Sequence, residues 1–141
     1  ESGGIGWGSP EAMGEIIARN MQLGEEYSRI LISYINKDGN YLENEVLQQG
    51  VIWGIGRIAG VKPHLMRDSF VFLIPSLDSC DAMLRGLSVW AIGAIDPVRA
   101  QSVLLHLKND DSVIKIYSDG NINRFTIKNI VDKILHEPID V

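Results

Sequence analysis

Glu11, Glu15, Trp53, Arg57 and Trp90 carry the side chains of this chain best suited to recognition chemistry, and their intervals are those of a helix. They fall on one recurring stripe. Taken four residues apart, one segment presents Trp7, Glu11 and Glu15, a second Gln49, Trp53 and Arg57, and a third Gly86, Trp90 and Ala94. Residues at that spacing share a helix face. Set side by side, the three stripes would bring Glu11, Trp53 and Trp90 abreast, with Glu15 beside Arg57. The result is an aromatic platform flanked by opposite charges, suited to gripping a peptide, a cation or a planar ligand. A second reading stays open, in which both tryptophans are packing between repeats and Glu15 with Arg57 is a local ion pair.

No catalytic or metal-binding set accompanies them. His64, His106 and His136 lie far apart in sequence and lack partners at ligand spacing. Cys80 sits near a helix start, but Asp78 and Asp81 oppose a thiolate there, so it reads as a turn cysteine. The Gly54-Ile55-Gly56 triplet lies inside a helical pattern and follows no strand, unlike a dinucleotide fingerprint. The glycine-rich stretch from Gly3 to Gly8 could hold an anion at a helix N-terminus, yet it lacks the Lys and Ser or Thr of a phosphate loop. Neither Asp38-Gly39-Asn40 nor Asp119-Gly120-Asn121 has the acidic spacing of a calcium loop. The sequence therefore points to no catalytic residue, no metal and no cofactor, and enzymatic activity is not expected.

The helices that carry the stripe are written as a repeat. IGWGSPEAMGEI at 5–16, LQQGVIWGIGRI at 47–58 and LRGLSVWAIGAI at 84–95 are copies of one helix. The second and third share Leu47/Leu84, Trp53/Trp90, Ile55/Ile92, Gly56/Gly93 and Ile58/Ile95, whereas the first keeps only Gly8, Gly14 and Ile16 of the second. Repeats spaced as Gly14, Gly56 and Gly93 are imply stacked helical units. A glycine inside a helix costs about 1 kcal/mol against alanine, and close approach between stacked helices would offset it. The core stripe of the second copy is Leu47, Val51, Gly54, Ile55 and Ile58.

Between the repeated helices, apolar residues at 27, 30, 31, 34 and 35 predict an amphipathic helix ending at Lys37-Asp38-Gly39-Asn40. The repeated helices are expected over about 9–19, 43–59, with Gly60 as a left-handed stop, and from the 77–81 turn to 95. Pro63 opens a helix over about 63–75, and Asp96-Pro97 restarts the chain for another to Leu107. VIKIYSDGNINRFTI, from Val113, predicts a β-hairpin around Asp119-Gly120, and Thr126 can cap a closing helix. The expectation is an all-α superhelical solenoid over 1–141 as one domain, with 112–141 a hairpin and helix that cap its end. Because the chain opens on what should be the second helix of a pair, it is expected either to be truncated at its N-terminus or to have that end covered by another chain, as in self-association.

Composition narrows the partners. The chain has 141 residues and a net charge of -5, with 13 Lys and Arg scattered rather than clustered, so nucleic acid is not expected. The longest apolar runs, at 30–35 and 70–74, are too short to span a bilayer, and no membrane association is expected. A single cysteine favours a reducing, cytoplasmic setting.

The unit of an Asp- or Ser-bearing turn, then LRGLSVWAIGAI, then Asp-Pro resembles the short HEAT-like repeats, including those of the phycobilisome-lyase type. The likeness is clear at 78–108, fair at 43–77 and weak at 1–35. GGIGWGSPEAMGEI followed by WGIGR and a terminal Asp-Gly hairpin is similar to a group of bacterial HEAT-like proteins. The resemblance implies helical hairpins stacked into a curved slab, with the second helix of each pair on the concave face, and it carries over no catalytic residue. It implies a protein-interaction or scaffolding module binding a protein partner; the lyase-like flavour of the repeats raises the alternative of a lyase or chaperone handling a tetrapyrrole or another planar cofactor.

Overall fold

A computed structural model of the chain describes residues 9–20 and 24–136. The glycine-rich stretch at 3–8, Trp7 with it, lies outside the described residues. Seven α-helices and one hairpin are described: α1 Ser9–Arg19, α2 Gly24–Ser33, α3 Glu45–Ala59, α4 Phe70–Leu73, α5 Ala82–Ile95, α6 Pro97–Leu104, β1 Val113–Ser118, β2 Asn121–Thr126 and α7 Ile127–His136. No described helix is long and apolar enough to cross a membrane.

The three repeated helices α1, α3 and α5 lie side by side and run in the same direction, with α3 in the middle. Glu15 bonds Arg57 across the first contact, while Gln49 Nε2 donates to Asp81 Oδ2 at 3.0 Å across the second. Because α3 has a neighbour on each side and α2 behind it, its core stripe of Leu47, Val51, Gly54, Ile55 and Ile58 is wholly buried, and Ile52 is buried as well. The starts of α3, α5 and α6 are each set by a short acidic or amide side chain. Asn44 accepts from the amides of Val46 and Leu47, Asp81 from those of Met83 and Leu84, and Asp96 from that of Arg99 next to Pro97. Asp81 thus caps α5 and, through Gln49, ties it to α3.

Glycine notches set the spacing, and each copy uses its notch differently. A Cβ on Gly14 would stand 2.5 Å from the Gly54 Cα, so α1 and α3 touch backbone to backbone. At Gly56 the missing Cβ makes room for the Trp90 ring, and at Gly93 for the Ile134 side chain of α7. Close helix approach therefore explains the first glycine, and reception of a large side chain explains the other two.

Two expected elements differ. Gly60 is right-handed (φ -62°), because the chain does not stop in a left-handed residue but winds on: the Val61 and Lys62 amides both bond to the Ile58 carbonyl. That winding turns Lys62 inward, where its buried ammonium donates to the Ile17 carbonyl at 3.1 Å and satisfies the end of α1. The expected helix at 63–75 is one α-helical turn, α4, between 3-10 turns at Pro63–Ser69 and Ile74–Asp78. Pro75 has no N–H for an α-helical ladder, which favours the tighter winding.

The Asp119-Gly120 turn has both φ values positive, 53° and 81°, the geometry of a two-residue hairpin. The strands pair antiparallel from Val113↔Thr126 to Ser118↔Asn121. Thr126 Oγ1 accepts from the Asn129 amide and starts α7, which packs on α5 and α6. The hairpin turns back from α7 toward the middle of the helix row. Ile114 and Ile116 are buried, and the Ile114 side chain fills the notch at Gly86.

Candidate functional site

On α3, a period of about 3.6 residues puts Gln49, Trp53 and Arg57 on a face that the core stripe leaves free. On α1, Glu11 and Glu15 follow the same logic. Glu15 is the hub of the meeting point: Arg57 donates from Nε to Oε2 at 3.0 Å and from Nη2 to Oε1 at 3.2 Å, while Arg19 Nε reaches Oε1 at 2.7 Å. The bond from Arg19 and the nearby Arg57 guanidinium outweigh partial burial and hold the Glu15 carboxyl below its usual range. Glu11 lies one turn earlier, its carboxylate seated where a Cβ on Gly50 would be.

The hairpin closes this face into a cavity of about 790 Å³, a size within the range of small-molecule and peptide-side-chain pockets. Val46, Trp53, Met83 and Leu87 supply apolar surface. Glu11, Glu15, Arg19, Arg57, Lys115 and Asp119 supply charge of both signs. The Trp53 indole N–H donates to the Tyr117 carbonyl at 2.9 Å, and the two rings lie 6.1 Å apart at 53°. Trp53 is both wall and bolt, because it lines the cavity and holds the hairpin over it.

The structure thus gathers Glu11, Glu15, Trp53 and Arg57 at one cavity, with the Glu15–Arg57 ion pair formed. Trp90 does not line it and does not stand beside Trp53 in the platform. Its ring occupies the notch at Gly56, between α3 and α5. Trp53 cannot make the equivalent contact with α1, because Gly14 and Gly54 bring those backbones together and leave no notch to fill. The repeat therefore places the same residue type in two different environments.

The hairpin side of the cavity, Lys115, Tyr117, Ser118, Asp119 and Gly120, has no signal in the repeat. What makes the hairpin part of the site is a bond between residues 64 apart. Gly50 has a readable signal, as a helical glycine six residues before Gly56 that matches Gly8 of the first copy. Among the described residues, no three His, Cys, Asp or Glu side chains gather as metal ligands.

Residues 46–95, covering α3 to α5, match the family model of the HEAT-like repeat. No curated protein and no solved structure matches the chain.

Proposed function

We propose that this chain is a protein-interaction or scaffolding module of stacked HEAT-like units, forming a superhelix, that holds a segment of a partner protein in the cavity under its hairpin. The observation that carries the reading is convergence. Two helices whose bonded residues Glu15 and Arg57 stand 42 apart in sequence, together with a terminal hairpin, contribute to one cavity with apolar surface and a mixed-charge rim. HEAT-like repeats generally mediate protein interaction or scaffolding, and the match over 46–95 supports that use here. The same reading includes a reducing, cytoplasmic setting, no nucleic acid partner, and self-association at the N-terminal end, where the exposed Ile16 lies on the side of α1 away from Gly14.

Met83 provides the cleanest test. It is partly buried on α5 and lines the cavity, so Met83→Arg would project a long cation into the space while leaving the core stripe intact. Random decapeptides displayed on phage and panned against the whole chain are expected to yield binders that Met83→Arg loses, with melting little changed. Binders indifferent to Met83→Arg, or no binders, would contradict the reading. A visible absorption band on incubation with haem or a bilin, lost in Met83→Arg, would instead favour the tetrapyrrole-handling alternative.

A further inference from the structure

We infer that the cavity accepts its partner as an added β-strand: an extended peptide segment of low net charge, apolar at alternate positions, pairing with the free edge of β1. This deepens the proposed function and rests on it. The hydrogen-bond alternation of the hairpin fixes the geometry. A two-residue turn makes Ser118 and Asn121 the closing hydrogen-bonded pair. In an antiparallel ladder the pairs alternate, so Tyr117↔Ile122, Lys115↔Arg124 and Val113↔Thr126 are non-hydrogen-bonded pairs. Their β1 members turn their N–H and C=O groups away from β2, to the other edge.

The bond from the Trp53 indole to the Tyr117 carbonyl fixes where that edge points, namely toward α3 and the cavity. It also leaves the Tyr117 amide and both main-chain groups of Lys115 without a partner among the described residues. An exposed edge of this kind is a template for a further strand. A strand laid there would alternate its side chains between solvent and the apolar surface of Trp53, Met83 and Leu87. Charge matches as well: Glu11, Glu15 and Asp119 balance Arg19, Arg57 and Lys115, so the rim rewards neither a polyanion nor a polycation.

The test uses a panned decapeptide made synthetically in three forms: unmodified, N-methylated at one alternate set of amides, and N-methylated at the other. Strand addition requires that one N-methylated form lose binding by roughly tenfold or more while the other binds like the parent. On the protein side, Lys115→Pro removes an outward N–H without touching a ladder bond, as edge strands tolerate, and is expected to weaken binding to the same extent. Lys115→Thr loses the same side chain but keeps that N–H, so it is expected to bind more tightly than Lys115→Pro, and the difference between the two isolates the main-chain bond; equal binding by the two variants would count against strand addition. Equal binding of all three peptides would overturn the inference even if the proline variant lost its hairpin. If Met83→Arg still abolishes capture in that case, the cavity reading survives and only the strand geometry fails. If Met83→Arg is also without effect, both fall.

Discussion

Gly14→Leu is expected to destabilise the protein by about 3 kcal/mol, the upper end of what overpacking costs. The substitution isolates steric from conformational effects, because leucine is a better helix former than glycine by most of 1 kcal/mol. A loss must therefore come from the contact. There is no side chain opposite that could swing away: the nearest atoms to a Cβ at Gly14 are the Gly54 Cα, O and C, all main chain. Accommodating leucine means moving α1 off α3, which uncovers Ile17 and separates Glu15 from Arg57. Denaturant unfolding of the two proteins checks the value. Unchanged or increased stability would show that α1 and α3 are not in contact at this glycine.

Arg85→Ala is expected to cost about 2–3 kcal/mol, because one partly buried guanidinium joins three segments. Its Nε donates to Asp110 at 2.9 Å, Nη1 to the carbonyls of Ser79 and Cys80, and Nη2 to Ser112 Oγ at 3.0 Å. The turn before α5, α5 itself and the start of the hairpin are thereby tied at one point. A lysine at this position would offer one ammonium where the guanidinium forks to several acceptors, so Arg85→Lys should recover little. The cluster also has a pH signature. Burial works against the Asp110 carboxylate, but bonds from the Ser112 hydroxyl, from Arg85 and from the Ser112 amide outweigh it and hold the carboxyl below its ordinary 3.8. A carboxyl lowered by folding stabilises the protein above its unfolded value and loses that contribution as pH falls through the folded one. Unfolding free energies at pH 6 and near pH 3 should therefore fall less in Asp110→Asn than in the parent; equal falls would show that Asp110 contributes nothing to the acid sensitivity.

The helices are legible in the sequence where local chemistry decides, and what depends on distant contacts is not. Leu47, Val51, Ile55 and Ile58 form a stripe at helical spacing, and all four are buried. Asp119-Gly120 accepts the positive φ values its turn needs, and Thr126 has the hydroxyl that its helix start uses. At 63–78, Pro63, Pro75 and the unbroken apolar run at 70–74 fit α and 3-10 winding alike, so periodicity alone cannot choose between them. The glycines of the repeat announce close packing, but not whether a backbone, an indole or an isoleucine will occupy the space. The same ambiguity separates Trp53 from Trp90. The stripe of Glu11, Glu15, Trp53 and Arg57 could be read because i to i+4 spacing fixes a face. The hairpin wall could not, because a strand's own alternation says which residues share a side and nothing about which helix that side will meet.

Whether a partner binds under the hairpin is decided by following a panned decapeptide residue by residue through the amide and indole resonances of the labelled full chain. Binding in the cavity predicts that the Trp53 indole N–H and the amides of Glu11, Gln49, Met83, Lys115 and Tyr117 shift together as the peptide saturates, while the outer side of α6 around Val98 and Leu105 stays still. Shifts confined to α6, or to the exposed face of α1 around Ile16, with the Trp53 indole unmoved at saturation, would place the partner elsewhere and contradict the cavity as the binding site.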